Sequence, residues 1–210
     1  MKKETYWSRF ADNFEEHNNY VVGKSDMDIM INTLSKEKDF GNTLELACGN
    51  GTYSRVLAKE AKQLFATDFS TEMVDAAKTR LKAFENIKIE KANCFDLHYS
   101  DNSFDTVFMA NLLHVIPEPE KAVLESKRVL KAGGKLIIIE VGLEGMTFFD
   151  KIGMIYRYLK TYGKPPAKGT KLTVKIIRDI LRHSGFEVEK AELIGNKSKA
   201  AYIKSICSTT

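Results

Sequence analysis

The chain has 210 residues, 43% hydrophobic and 29% charged, which is enough apolar matter for one domain or one domain with a small cap. A formal net charge of +4, spread along the chain rather than gathered into a stripe, gives no ground for a nucleic-acid partner, and no run reaches the roughly 18 apolar residues of a membrane span. Three scattered cysteines, at 48, 94 and 207, argue against a zinc site and a disulfide framework; the N-terminal stretch bears acids and lacks the apolar core of a signal peptide, so a cytoplasmic location is expected.

Trp7, Phe10 and Phe14 recur at steps of three and four, predicting a helix over 4–18. Its aromatic face either packs on the main domain or caps a ligand site. Residues 18–23 break the pattern as a loop. Ser25 is placed to cap a second helix to about Lys36, with Met27, Met30, Ile31 and Leu34 inward. Residues 1–42 therefore form a helical N-terminal cap, and the core domain runs over 43–210. From Thr43 strands and helices alternate: strands at 43–47, 64–68, 87–92, 103–110 and 135–141, with helices at 52–60, from a Ser70 cap to about 84, and at 120–130. Pro119 sits at the first turn of the last of these helices, and Gly133-Gly134 is expected to end it. The unbroken apolar run Leu136-Ile-Ile-Ile139 suits a strand covered on both faces. This rhythm predicts an α/β, doubly wound, mostly parallel sheet that binds its ligand across the C-terminal strand ends. Residues 143–163 depart from the rhythm as an aromatic-rich helical segment, followed by a loop at 163–169. Thr173 then caps a helix to about Ser184. The strands 186–194 and 200–207, joined at Gly195-Asn196, form a hairpin and imply one antiparallel strand.

The chemistry centres on Thr43-Leu-Glu-Leu-Ala-Cys-Gly-Asn-Gly51, a strand, a glycine turn and a helix start. The glycines admit positive φ and close ligand approach, and the free N–H groups of the helix start favour polar or negative ligand groups. Asp68 follows Gly51 at the end of the next strand, where an acid can accept from both ribose hydroxyls. Position 54 is Ser54 where a dinucleotide fingerprint requires a third glycine, and the turn has no G-K-S/T ending. A nucleoside without phosphates fits better than a dinucleotide or a triphosphate.

Glu45-Leu-Ala-Cys-Gly-Asn-Gly51 resembles motif I of class I S-adenosylmethionine-dependent methyltransferases. Thr67-Asp-Phe-Ser70 with Met73, Asn93-Cys94, Ser103-Phe-Asp105, Arg128 to Leu136 and Ser184-Gly-Phe186 resemble later motifs of the family in order, in its small-molecule, ubiquinone-biosynthesis-like branch. The resemblance implies a Rossmann-like, seven-stranded sheet in the order 3-2-1-4-5-7-6. It also implies S-adenosylmethionine as cofactor, S-adenosylhomocysteine as product, and a small, apolar or aromatic methyl acceptor. By resemblance Glu45 approaches the methionine ammonium and the backbone of Ala47, Cys48, Gly49, Asn50 and Gly51 lines the methionine part. Asp68 holds the ribose, Phe69 and Met73 flank the adenine, and Asn93 stands where an acid often meets the adenine amino group. Cys94 offers its N–H to the ring, Ser70 and Phe95 complete the adenine side, and Asn111 faces the sulfonium. Ala132 replaces the usual proline before Gly-Gly. In this family the segment at about 143–170 is a substrate lid; a dimer face and a membrane-surface helix are the other readings.

His114, three residues past Asn111, is either a general base or a structural histidine. Tyr20 is the expected N-terminal lid contact, ahead of His17 as a second base. Cys48 and Cys94 are motif positions without a paired base, so neither is read as a nucleophile. No metal is required. The rivals are a nicotinamide-dependent oxidoreductase and a non-catalytic nucleoside-binding module. The expected partners are the acceptor alone, with no nucleic acid and no stable membrane insertion, in a monomer or homodimer.

Overall fold

The computed structural model describes residues 6–165 and 171–208. Seven strands, β1 (Asn42–Leu46), β2 (Gln63–Asp68), β3 (Ile87–Lys91), β4 (Phe104–Ala110), β5 (Leu130–Gly142), β6 (Phe186–Ile194) and β7 (Lys199–Cys207), form one sheet ordered β3-β2-β1-β4-β5-β7-β6. The first five pair parallel and β7 runs antiparallel to both neighbours. This is the expected order with its single reversed strand. The turn that reverses β7 is held from outside the sheet. Buried Asp26 accepts the Asn196 N–H at 2.7 Å and the Ser198 N–H at 2.8 Å.

Helices cover both faces: α1 (Phe14–Asn18), α2 (Lys24–Ser35), α3 (Ser54–Glu60), α4 (Thr71–Leu81), α5 (Pro119–Val129), α6 (Phe148–Tyr162) and α7 (Val174–His183). The two-residue period of β5 explains its unbroken apolar run. Leu136 and Ile138 face Val123 of α5 and Ile177 and Leu181 of α7, while Ile137 and Ile139 face Met30 of α2, Leu57 of α3 and Leu81 of α4. All these side chains are excluded from water, each contributing about 1.5–3 kcal/mol of burial. Ser70 and Thr173 cap their helices as expected, accepting from Met73 N and Ile176 N at 3.2 Å each, and Pro119 opens α5.

Two stretches differ from the sequence reading. Ser8–Asn13 is a 3-10 turn, α1 has only 5 residues, and Asn19–Gly23, expected as a loop, is a π-turn that runs straight into α2. A 3-10 turn eclipses residues three apart, so Trp7 and Phe10 share a face without a full α-helix. Gly23, at φ 99°, makes the entry to α2, and no side chain caps it; Ser25 lies inside the helix. Gly133-Gly134 does not end α5. The helix stops at Val129, and Leu130 is already extended and paired with Phe104. The glycines take up the register shift before Lys135 pairs with Thr106. The loop expected at 163–169 lies partly outside the described residues.

Candidate active site

β1 delivers its last residues into a cluster of left-handed conformations: Ala47 at φ 56°, Gly49 at 55° and Gly51 at 88°. The turn is tied to β2, with Cys48 N donating to Thr67 O at 2.9 Å and Gly51 N to Cys48 O at 3.0 Å. A side chain at Gly51 would stand 2.6 Å from Leu81 Cδ1 at a φ of 88°, so any other residue there would be strained and would force Leu81 of α4 to shift. Asp68, at the end of β2, accepts Gly49 N–H on Oδ2 and Ser70 N–H on Oδ1, both at 2.9 Å. With the Phe69 N–H also on the carboxylate, part of its acceptor capacity remains for a ligand diol. Burial pushes the Asp68 carboxyl above its ordinary range, and the backbone N–H groups pull against it.

Glu45 lies beneath this turn, 2% exposed, with its Oε2 accepting the Ser54 hydroxyl at 2.5 Å. Burial, reinforced by the charge of Asp68 and opposed by Ser54, pushes its carboxyl up to about 8. A buried acid beside a second acid is a site for a cation. The donor set therefore fits S-adenosylmethionine: a diol acceptor, an apolar rim, and an acid that gains from a neighbouring ammonium or sulfonium.

The other expected contacts divide. Phe69 is 47% exposed at the rim, with Lys91 Nζ 5.6 Å from its ring centroid, while Met73 is buried behind it. Asn93 Oδ1 already accepts the Phe95 N–H at 3.1 Å, so the amide shapes its own turn and has one lone pair left for a ligand. Cys94 lies close enough to Asp68 to feel its charge, and burial, with that charge, raises its thiol to about 11. Asn111, at φ 53°, has its amide oxygen on Val141 N at 2.9 Å, lashing the ends of β4 and β5 together. Asn50 is buried and donates to Ala11 O at 3.3 Å, which clamps the N-terminal segment to the turn. Tyr20, expected as the lid contact, is 47% exposed, with Lys160 Nζ 5.9 Å from its ring. Phe14 is the N-terminal aromatic set against the glycine turn: its ring comes within 3.2 Å of where a Gly49 Cβ would project.

Phe14 belongs to an aromatic wall that sequence reasoning divided between two segments. Tyr162 of α6 has its ring centroid 4.9 Å from Phe10, 5.2 Å from Trp7, 5.3 Å from Tyr158 and 5.8 Å from His17. Tyr162 donates its hydroxyl to Asn18 at 2.8 Å, and Arg157 donates to Val21 O at 3.0 Å, strapping α6 to the N-terminal segment. His17 Nδ1 is buried in this wall without a hydrogen-bond partner. At the C-terminal ends of β4 and β5, His114 Nδ1 is hydrogen-bonded to Glu140 Oε1, and the Leu113 N–H donates to Glu140 Oε2 at 3.1 Å. Burial disfavours the imidazolium, but the facing Glu140 outweighs it, and the net shift of His114 is upward. Glu140 was not singled out in the sequence; its one signal is an acid at the end of an otherwise apolar strand. Tyr53 is buried, its hydroxyl without a partner among the described residues, and burial with the charges of Glu140 and Glu45 raises its pKa.

Residues 44–138 match the family described as a methyltransferase domain. In strand order and in these matched residues the chain is similar to class I S-adenosylmethionine-dependent methyltransferases. A demethylmenaquinone methyltransferase of Clavibacter sepedonicus is 38% identical over 97 residues, 46% of this chain and 40% of that protein. A ubiquinone/menaquinone biosynthesis C-methyltransferase of Rickettsia prowazekii is 34% identical over 149 residues, 64% of this chain and 58% of that protein. The chain thus spans about half the length of the curated relatives it matches. Among solved structures, a S-adenosylmethionine-dependent methyltransferase of Aquifex aeolicus superposes with a TM-score of 0.71 at 20% identity, over 95% of this chain and 98% of that one. The methyltransferase fold therefore extends beyond the matched residues, through α6 and the terminal hairpin.

Proposed function

We propose that this chain methylates a small, ring-bearing, apolar acceptor of the phenol or quinol class. The observation that carries the reading is the wall of Trp7, Phe10, Tyr158 and Tyr162 standing over a corner fitted to the cofactor. The two curated relatives, named for quinone methylation, support the acceptor class. When bound, S-adenosylmethionine supplies an electrophilic sulfonium methyl; the protein must position the acceptor in line, exclude water and remove an acceptor proton where needed. Asp68 holds the ribose, Glu45 meets the cationic end, and Phe14 closes the site from above. His114 is the general base. With Nδ1–H given to Glu140, Nε2 is the nitrogen left to take the hydroxyl proton of a phenol or quinol.

The experiment is a labelled-methyl transfer screen over phenols, quinols, thiols and amines, run beside calorimetry of cofactor binding. Transfer to a phenol or quinol is expected. His114→Ala should lower turnover about 10²–10⁴-fold and spare cofactor affinity. Cofactor binding with no transfer to any acceptor would favour a non-catalytic nucleoside-binding module, and normal turnover in His114→Ala would remove the base.

A further inference from the structure

Helix α6 carries a broad apolar arc that the aromatic wall leaves uncovered. At about 100° per residue, Phe148, Phe149, Ile152, Ile155, Tyr156 and Leu159 fall on one arc of roughly 120°, with Tyr162 and Tyr158 following beyond its Ile155 edge. All six are exposed, Phe148 by 71%, Phe149 by 81% and Tyr156 by 63%. So large an unbroken apolar patch on one helix marks an interaction surface. Its rims are basic. Lys151 lies on one edge and Lys160 on the other, and neither has an acidic partner among the described residues. Tyr20 extends the patch beside Lys160. The single acid of α6, Asp150, is turned back onto its own N-cap, accepting the Thr147 hydroxyl at 2.6 Å. No described helix is long and apolar enough to cross a membrane.

We propose that α6 docks this protein on a lipid bilayer with acidic headgroups, lying in the interface with its outer face among the acyl chains and its lysines at headgroup level. A twofold copy of the chain is the other occupant with the right shape, but the one acid it brings on this helix, Asp150, is engaged at its own N-cap. Tyr158 and Tyr162 flank the Ile155 edge of this arc, so a docked α6 sets the aromatic wall next to the bilayer surface. The docking itself does not depend on the acceptor assigned above.

The test is co-sedimentation of the full chain, without cofactor or acceptor, with vesicles of phosphatidylglycerol and phosphatidylcholine and with phosphatidylcholine alone. Binding to the anionic vesicles, weakened by salt, is expected. Phe148→Ser with Phe149→Ser should lower partition at least tenfold, and Lys151→Gln and Lys160→Gln about fivefold each. All four side chains reach solvent, and unchanged melting and cofactor affinity will show that the variants are folded. Absence of binding to anionic vesicles overturns the proposal. So does binding that the phenylalanine variants leave intact, or a solution dimer that those variants dissociate in a chain that ignores vesicles.

Discussion

Replacing Glu45 by glutamine tests the electrostatics of the cofactor corner directly. In the folded chain the Glu45 carboxyl is raised from 4.5 to about 8, chiefly by burial. Below about pH 4.5 the folded and unfolded states both hold the proton. Between about 4.5 and 8 only the folded state holds it, so stability falls as pH rises through that window and levels off above it. The shift corresponds to roughly 5 kcal/mol across the window. For a chain of this size that is a fall in Tm of about 10–20 °C. Glu45→Gln keeps an acceptor for Ser54 and removes the titration. Melting curves without cofactor should therefore show the variant level with the parent near pH 4.5 and progressively more stable up to pH 8. The same carboxyl must ionise to meet a cation, so cofactor binding near pH 7 should release close to one proton. Calorimetry in buffers of different ionisation enthalpy measures that proton, and Glu45→Gln should abolish the release and weaken binding. A parent that melts in parallel with the variant from pH 5 to 8, or that binds cofactor without releasing a proton, would refute the reasoning.

Asp68→Ala should abolish calorimetric binding of S-adenosylmethionine, because it removes the proposed diol acceptor; unchanged affinity sinks the ribose site. Gly51→Ala combines a φ of 88° with a contact of 2.6 Å to Leu81 and should cost about 2–4 kcal/mol in urea unfolding. Since Glu140 raises the pKa of His114 and a base must be neutral to act, Glu140→Gln should move the acidic limb of the rate–pH profile to lower pH and lower its plateau. A plateau loss with an unmoved limb would reduce Glu140 to a structural role. Asn50→Ala cuts the bond to Ala11 O and should raise the KM for cofactor by loosening the N-terminal segment, read against an unchanged affinity of the core for adenosine.

The parallel sheet was legible because its signals are local and mutually consistent. Apolar runs alternate with capped helices, and the caps at Ser70 and Thr173 do what their residue types predict. Gly195-Asn196 betrayed the reversed strand. The N-terminal segment was not legible in the same way. Trp7, Phe10 and Phe14 suit an α-helix by spacing, but their rings are satisfied by α6, more than a hundred residues on, and that long-range packing sets a 3-10 and a π-turn where periodicity alone reads helix and loop. Gly133-Gly134 misled for the same kind of reason: glycine pairs end helices, but here the partner strand β4 accepts them as a bulge.

The site divides along the same line. Glu45, Asp68 and the glycines lie within one turn and its neighbouring strand, so a short motif carries them. His114 lies in reach of that motif, but its character comes from Glu140, on the adjacent strand and 26 residues away. A lone histidine after a strand has no assigned chemistry until the sheet order is known, because only the β4–β5 pairing brings an acid to Nδ1. The acceptor wall is more distant still, built from two segments that share no motif and meet only in the fold. This is why the cofactor can be read from sequence and the acceptor cannot. In the proposed function the methyl donor meets a turn carried by one short motif, whereas the acceptor meets aromatic side chains whose positions depend on how α6 packs against residues 7–17.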